Sequence, residues 1–300
     1  MGRVVGATQL QTDADAVTGE VDVDVDVEVA VAPRREHWAR RLVPGGIGRG
    51  AWRVVERNTT AYRRQWYLFL TGLIEPALYL LSIGIGVGGL VGKVPGPGGG
   101  LIDYKTFVAP GLMAAAAMNG AVLDTTFNFF FKFKYAHTFD AMLATPLRVR
   151  DVAYGEMTWA LLRGALYSAA FLVTMAVVGL VHSWWSLLAV PAGLLIGAAF
   201  AGAGIGGTTF MRSWLDFDFV NIALIPMFLF SGVFFPLSQY PDAVQSIVRV
   251  TPLYQGVVLE RALVLGHVEW SLLLNAAYLM AMAWLGVTIA TRRLTRMLQP

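Results

Sequence analysis

Residues 184–210 read WWSLLAVPAGLLIGAAFAGAGIGGTTF, a run of twenty-seven positions with no Asp, Glu, Lys, Arg or His. A bilayer hydrocarbon core about 30 Å thick needs roughly 20 helical residues to cross it, so this run is long enough to span. It lacks the two-residue alternation of a lipid-facing strand, and irregular backbone cannot face lipid with its polar groups unpaired. The expectation is a membrane helix. Working outward, five more runs of the same kind are found at Trp66–Leu90, Thr106–Leu123, Met157–Val181, Phe219–Phe235 and Trp270–Thr291, with Glu75 and Arg163 their only charged residues. Hydrophobic residues make up 56% of the chain and charged residues 14%, more apolar than one soluble core requires. The fold class is all-α, an integral membrane protein with six transmembrane helices.

Lys and Arg near the span ends set the orientation. Nine lie between Arg34 and Arg64, just before the first run. Six crossings put Lys132, Lys134, Arg148, Arg150, Arg212, Arg292, Arg293 and Arg296 on the same side, and only Lys93, Lys105, Arg249 and Arg261 opposite. Both termini are therefore expected in the cytoplasm, with the chain in the plasma (cytoplasmic) membrane. The basic pI of about 9.2 reflects this topology and attraction to anionic lipid heads. No nucleic-acid partner is indicated. The chain has no cysteine, which excludes disulfides, thiolate metal sites and cysteine nucleophiles. No cleavable signal peptide is visible.

The expected organisation is a largely disordered cytoplasmic tail over 1–49, acidic then basic; an interfacial amphipathic helix over 50–65; a six-helix domain over 66–291; and a cytoplasmic tail over 292–300. In the interfacial helix Trp52, Val55, Thr59, Tyr62 and Trp66 recur at helical spacing, with arginines mostly on other faces. The largest cytoplasmic loop, Asp124–Glu156, has Tyr135, Phe139, Met142 and Leu143 near one face, followed by Thr145, Pro146 and Leu147. Threonine then proline is a helix-start signal, so a short rigid elbow is expected there. Outside, Pro236–Val268 should hold two short helices, one after Pro241 and one after Thr251 and Pro252, with Gly266 as the stop. This stretch is expected to dip back towards the membrane.

Glu75 is costly in a hydrocarbon span unless hydrated or paired, and Pro76 frees a backbone carbonyl beside it. It reads either as a substrate- or proton-sensing group or as a buried carboxyl satisfied by neighbours or Arg163. Arg163 is near enough to the inner end of its span to snorkel. Asn119 and Asp124 line a vestibule or make helix–helix contacts. The glycines of 193–207 form a packing surface for a neighbouring helix. Gly88–Lys93 lacks P-loop spacing, and Val94 stands where Ser or Thr is required. Asp216 and Asp218 carry no further ligand cluster that would support metal-assisted transfer. No catalytic, cofactor or metal site is expected in this chain.

The pattern resembles the permease subunits of type 2 ATP-binding cassette exporters, in the nodulation-factor and daunorubicin-resistance branch. The residues that carry the resemblance are Glu75, Pro76 and Tyr79; Phe107–Gly111; Ala144–Leu147 with Gly155 and Glu156; Phe230–Pro236; and Thr251, Pro252, Leu253 and Arg261. It covers roughly residues 51–296. The resemblance implies the six-helix permease architecture, with an amphipathic helix before the first span, a cytoplasmic coupling helix and outer re-entrant helices before the last span. It implies two permease copies, as homodimer or sister pair, meeting two separate ATPase subunits that hold ATP and Mg and drive export of a lipid-like, glycosylated or amphiphilic compound. The coupling set would be Phe139, Met142, Leu143, Thr145, Pro146, Leu147, Arg148, Asp151 and Glu156. Glu75, Pro76, Asn119 and Asp124 would line the path, and Pro236, Thr251, Pro252 and Arg261 would form the outer re-entrant segment. Where some relatives carry Glu at the end of the second span and His after the outer Pro-Leu pair, this chain has Asp124 and Tyr254 or Gln255. A proton-coupled secondary transporter working through Glu75, or a membrane-embedded transferase using Asp216 and Asp218, are the alternatives.

Overall fold

The computed structural model describes residues 47–63, 67, 74, 78–136 and 138–298. The acidic tail and the Glu75–Pro76 pair lie outside the described residues. Helix α1 (Ile47–Arg63) is followed by α2 (Leu78–Val91) and a short antiparallel hairpin, β1 (Lys93–Pro95) with β2 (Leu101–Asp103), in which Val94 faces Ile102. This small sheet is an addition to the helical architecture expected from sequence.

Among the described residues, four helical stretches are long and apolar enough to cross a membrane: Tyr104–Tyr135, Val149–Val177, Trp184–Thr208 and Leu272–Arg293. The first is α3 (Tyr104–Leu123), which continues through two π-helical turns, Asp124–Asn128 and Phe131–Tyr135. A short helix α4 (Thr138–Leu143) precedes α5 (Val149–Val177). A 3₁₀ turn at Trp184–Leu188 leads into α6 (Ala189–Thr208). Both α3 and α5 extend beyond the apolar runs, because hydropathy marks the lipid level while Arg150, Asp151 and Glu156 are compatible with helix in water. Another expected span, 219–235, is shorter as a helix: α7 (Phe217–Phe230) ends where Ser231 Oγ donates to Phe228 O (2.9 Å) and Gly232 takes φ +75°. Then come α8 (Asp242–Val250) after Pro241, α9 (Pro252–Leu265) with proline in its first turn, and α10 (Leu272–Leu298). Gly266 closes α9 in the left-handed conformation (φ +81°).

The core is built around α3, α6 and α9. Met113, Met118, Ile196, Leu253 and Leu279 are fully buried there. Helices α6 and α10 approach backbone to backbone at Gly202 and Gly286; a Cβ on Gly202 would stand 3.0 Å from Val287 N and 3.2 Å from Gly286 C. Only hydrogen side chains permit that approach. Helix α1 buries Ala51, Val54, Val55 and Asn58 and leaves Trp52 and Thr59 exposed. On α5 the exposed side chains Leu162, Leu166, Val173 and Val177 form a helical stripe, and Leu273, Leu274, Met280 and Trp284 do the same on α10. Trp184, Trp185 and Trp270, all exposed, stand at the starts of the Trp184–Thr208 and Leu272–Arg293 stretches. So much exposed apolar surface with tryptophans at its edge suits lipid as the solvent.

Candidate functional site

A cleft of about 510 Å³ opens between α2, α3, α5 and α7, with Tyr62 of α1 at its margin. Asn119 and Asn128 come from α3 and its π turn, Arg163 and Tyr167 from α5, Asn221 and Phe228 from α7. Asp124 stands beside it at the first π turn, ion-paired to Arg163 and accepting a hydrogen bond from Asn128 Nδ2 (2.7 Å). Arg163 also stands 5.3 Å from the centre of the Tyr62 ring. Arg163 therefore pairs inside the protein instead of snorkelling, because Asp124 lies within reach across the α3–α5 seam. With Asp124 neutralised, the wall of the cleft presents amides, phenols and apolar groups. Thr125 and Thr126 hydroxyls donate to Ala121 O and Val122 O (both 2.6 Å), carbonyls of the α turn that leads into the π turn.

The loop between α3 and α5 is packed on aromatic side chains. Phe139 and Met142 of α4 are buried, with the Phe139 ring 4.9 Å from Phe129 and 6.2 Å from Phe133. Leu143 and Leu147 are half-buried, and the outward surface is Ala141, Ala144, Thr145, Pro146 and Arg148. Thr145 does not start a helix: its hydroxyl donates to Met142 O (2.5 Å) and closes α4. The start of α5 is instead secured by Asp151, whose Oδ2 accepts the Arg148 N–H (3.1 Å). Glu156 is buried one turn further on. It accepts from Asn58 Nδ2 of α1 (3.2 Å) and pairs with Lys132 Nζ (2.6 Å), tying α1, α5 and the C-terminal extension of α3 together. A second joint links this loop to the next one. Trp214 stacks on Tyr135 (5.8 Å) and meets Phe130 edge-on (5.9 Å), while Lys134 Nζ donates to Arg212 O (3.1 Å).

At the opposite end, Arg261 of α9 is buried. Its Nε donates to Phe107 O (3.1 Å), its Nη2 to Gly232 O (2.8 Å), and the guanidinium lies 3.8 Å from the centre of the Phe107 ring. One side chain thus fastens α9 to α3 and to the turn after α7. Thr251 Oγ1 donates to Val248 O (2.7 Å) between α8 and α9, beside Pro252; Pro236 is half-buried before the 3₁₀ turn Leu237–Gln239.

Asp216 caps its own turn. Its Oδ2 accepts the backbone N–H groups of Arg212 (2.5 Å) and Ser213 (3.1 Å), and these bonds hold the carboxyl below the usual aspartate range. No group of His, Cys, Asp and Glu able to hold a metal occurs among the described residues. Glu260 does not stand out in the sequence because the apolar stripe expected of the helix after Pro252 runs through Leu253, Val257, Ala262 and Leu265, which leaves the acid beside it. The signal was available: Leu253, Val257, Glu260 and Val264 share one face of a helix beginning at Pro252, and Leu253, Val257 and Val264 are apolar.

A bundle of helices with exposed apolar faces, a cleft that sets amide and phenol groups in an apolar wall, and a packed elbow at one end has the build of a membrane-embedded permease. The ABC-2 type transporter family matches residues 50–265, and the chain belongs to it. It is similar to Nodulation protein J of Rhizobium leguminosarum bv. trifolii, at 36% identity over 75% of this chain and 84% of the relative. Nodulation protein J of Rhizobium meliloti (strain 1021) is 31% identical over 82% of this chain and 93% of its own length. That of Bradyrhizobium diazoefficiens is 32% identical over 71% and 80%. The chain is thus the non-catalytic transmembrane subunit of a transporter whose family implies a partner ATPase.

Proposed function

We propose that this chain is the permease of an ABC exporter that moves an amphiphilic compound with a polar, glycan-like head from the cytoplasmic side outward. The observation that carries this reading is the cleft itself. It is of a size to admit a small ligand or the head of a larger one, is lined by Asn119, Asn128, Asn221 and aromatic rings, and stands where Asp124 is already neutralised. Amide and phenol groups in an apolar wall suit uncharged hydroxyl- and acylamino-bearing heads, while the exposed apolar faces leave room for acyl chains in lipid. The working assembly is two permease copies with two ATPase subunits, ATP and Mg residing on the latter, six crossings per permease and both termini cytoplasmic. Glu75 and Pro76 belong to the same path by resemblance. Closure of the ATPases presses on the outward surface of α4 and its turn, and the buried Phe139 and Met142 pass the displacement to α3. Substrate leaves past α8 and α9, the re-entrant segment.

The test is purification from native membranes in mild detergent, followed by mass spectrometry of stoichiometric partners and reconstitution in vesicles. The reading expects a Walker-motif ATPase whose association is lost in Ala141→Glu, and ATP-dependent movement of a lipid-linked oligosaccharide. Proton-driven transport indifferent to ATP would overturn it.

A further inference from the structure

Glu260 is completely buried, and neither of its carboxylate oxygens has a hydrogen-bond partner among the described residues. An ionised carboxylate in such a place costs several kcal/mol, whereas a neutral acid costs far less. The neighbours offer no compensation. Helix α6 and the 184–188 turn carry no ionisable residue. Arg261, next in sequence, is committed to Phe107 O and Gly232 O. On α5 the ionisable groups nearest this level are Tyr167 and Arg163, the latter paired with Asp124. Tyr104 and Lys105 begin α3, and Tyr254 lies two turns back on α9. His182 approaches α9 through its backbone N–H, which donates to Val264 O (3.4 Å), and its ring bonds Leu180 O. Asp242 and Arg249 on α8 and Tyr278 on α10 complete the set, Tyr278 donating to Val250 O.

Three helices meet at the carboxyl. A Cβ placed on Gly193 of α6 would lie 2.7 Å from Ser168 Oγ of α5 and 3.4 Å from Glu260 Oε1 of α9. Ser168 in turn lines a small cavity of about 20 Å³, walled also by Asp124, Arg163, Gly164 and Tyr167. That is room for a single water with polar partners. The cavity shares Ala116, Gly120, Arg163 and Tyr167 with the large cleft. The water-sized space thus shares walls with the cleft on one side and ends on the other at Ser168, whose Oγ and Glu260 Oε1 both border Gly193.

We infer that Glu260 is a proton-binding site of the permease, held neutral in this state and loaded from the cleft by way of Ser168. Loading breaks one O–H bond for each one it forms: Ser168, turned toward the acid, gives its hydroxyl hydrogen to a Glu260 oxygen and takes a proton from the cavity water, which takes one in turn from water in the cleft, so the proton is drawn from the bulk. Rotation of the serine then restores the relay. The site goes beyond the exporter reading, since it requires neither a substrate nor an ATPase to be detected.

Infrared difference spectroscopy on the full chain in lipid nanodiscs reads it directly. The expected result is a protonated-carboxyl stretch at neutral pH that shifts in heavy water, vanishes on alkalinisation and is missing in Glu260→Gln. Ser168→Ala should keep the band but slow its deuterium shift by at least about tenfold. Wild-type protein carrying ¹³C in its glutamate carboxyls, which moves a glutamate band and not an aspartate one, serves should Glu260→Gln not fold. A neutral-pH spectrum with no protonated glutamate would overturn the site. A deuterium shift indifferent to Ser168→Ala would overturn the route.

Discussion

The Asp124–Arg163 pair decides much at the scale of single residues. Both side chains are nearly buried, so removing one leaves the other charged and alone at a cost of about 3–5 kcal/mol. Arg163→Met should therefore lower the melting temperature in detergent, and Asp124→Leu added to it should restore most of the loss. A double variant no more stable than the single one would mean that the pair is not the source of the cost. Asp216 gives a pH signature. Its carboxyl is held below the ordinary value of 3.8, so the order it lends the 212–217 turn is present above 3.8 and is lost as pH falls through the depressed value. The fluorescence due to Trp214, isolated by comparison with Trp214→Phe, should stay constant down to pH 3.8 and change below it. In Asp216→Asn it should be changed already at neutral pH. The sequence displayed both aspartates but not their use, because a cap and a metal ligand look alike until the backbone is folded around them. Glu260 was equally visible and equally silent: one acid in a mostly apolar stripe acquires meaning only when two other helices close over it.

Elements were more legible than contacts. Prolines at 241 and 252 and the glycine at 266 marked the bounds of α8 and α9, since proline in the first turn and left-handed glycine after the last are local backbone chemistry. The Thr145–Pro146 signal misled for the opposite reason: whether a threonine hydroxyl closes one helix or opens the next depends on the turn between them. Four of the six apolar runs overlap helices long enough to span, yet the extensions of α3 past Leu123 and of α5 before Met157 do not show in hydropathy, because a helix that runs on into polar sequence keeps its hydrogen bonds and loses its hydropathy. The elbow separates into two faces with different consequences. Phe139→Ala empties a packed site and should cost about 3–5 kcal/mol, lowering the melting temperature. Ala141→Glu on the outward face should leave melting unchanged and abolish ATPase association, a contrast that a purely structural loop would not produce. At the α6–α10 crossing, Gly286→Leu has no space to enter and should prevent the folded protein from accumulating in the membrane.

At the scale of the molecule, the absence of native cysteine makes the orientation directly measurable. Single cysteines at exposed Ser238 and Ala144 should be labelled by an impermeant maleimide from opposite sides of the membrane, Ser238 from outside. Labelling of both from one side would refute the six-crossing arrangement. The two π turns at the C-terminal end of α3 also bear on how such a molecule moves. A π turn contains more residues than the α turn it replaces, so each is a dislocation in the helix, a local surplus of chain. A dislocation can migrate. Shifting one along α3 by a single residue advances the backbone about 1.5 Å and turns every side chain it passes by about 100°. Asp124, sitting on the first of them, would swing away from Arg163 while the α-helical part of α3 before it stayed in place. On the proposed mechanism, a stroke from elbow to cleft then needs no tilting of a whole helix against its neighbours, only the transfer of slack past the Asp124–Arg163 pair that latches the first turn.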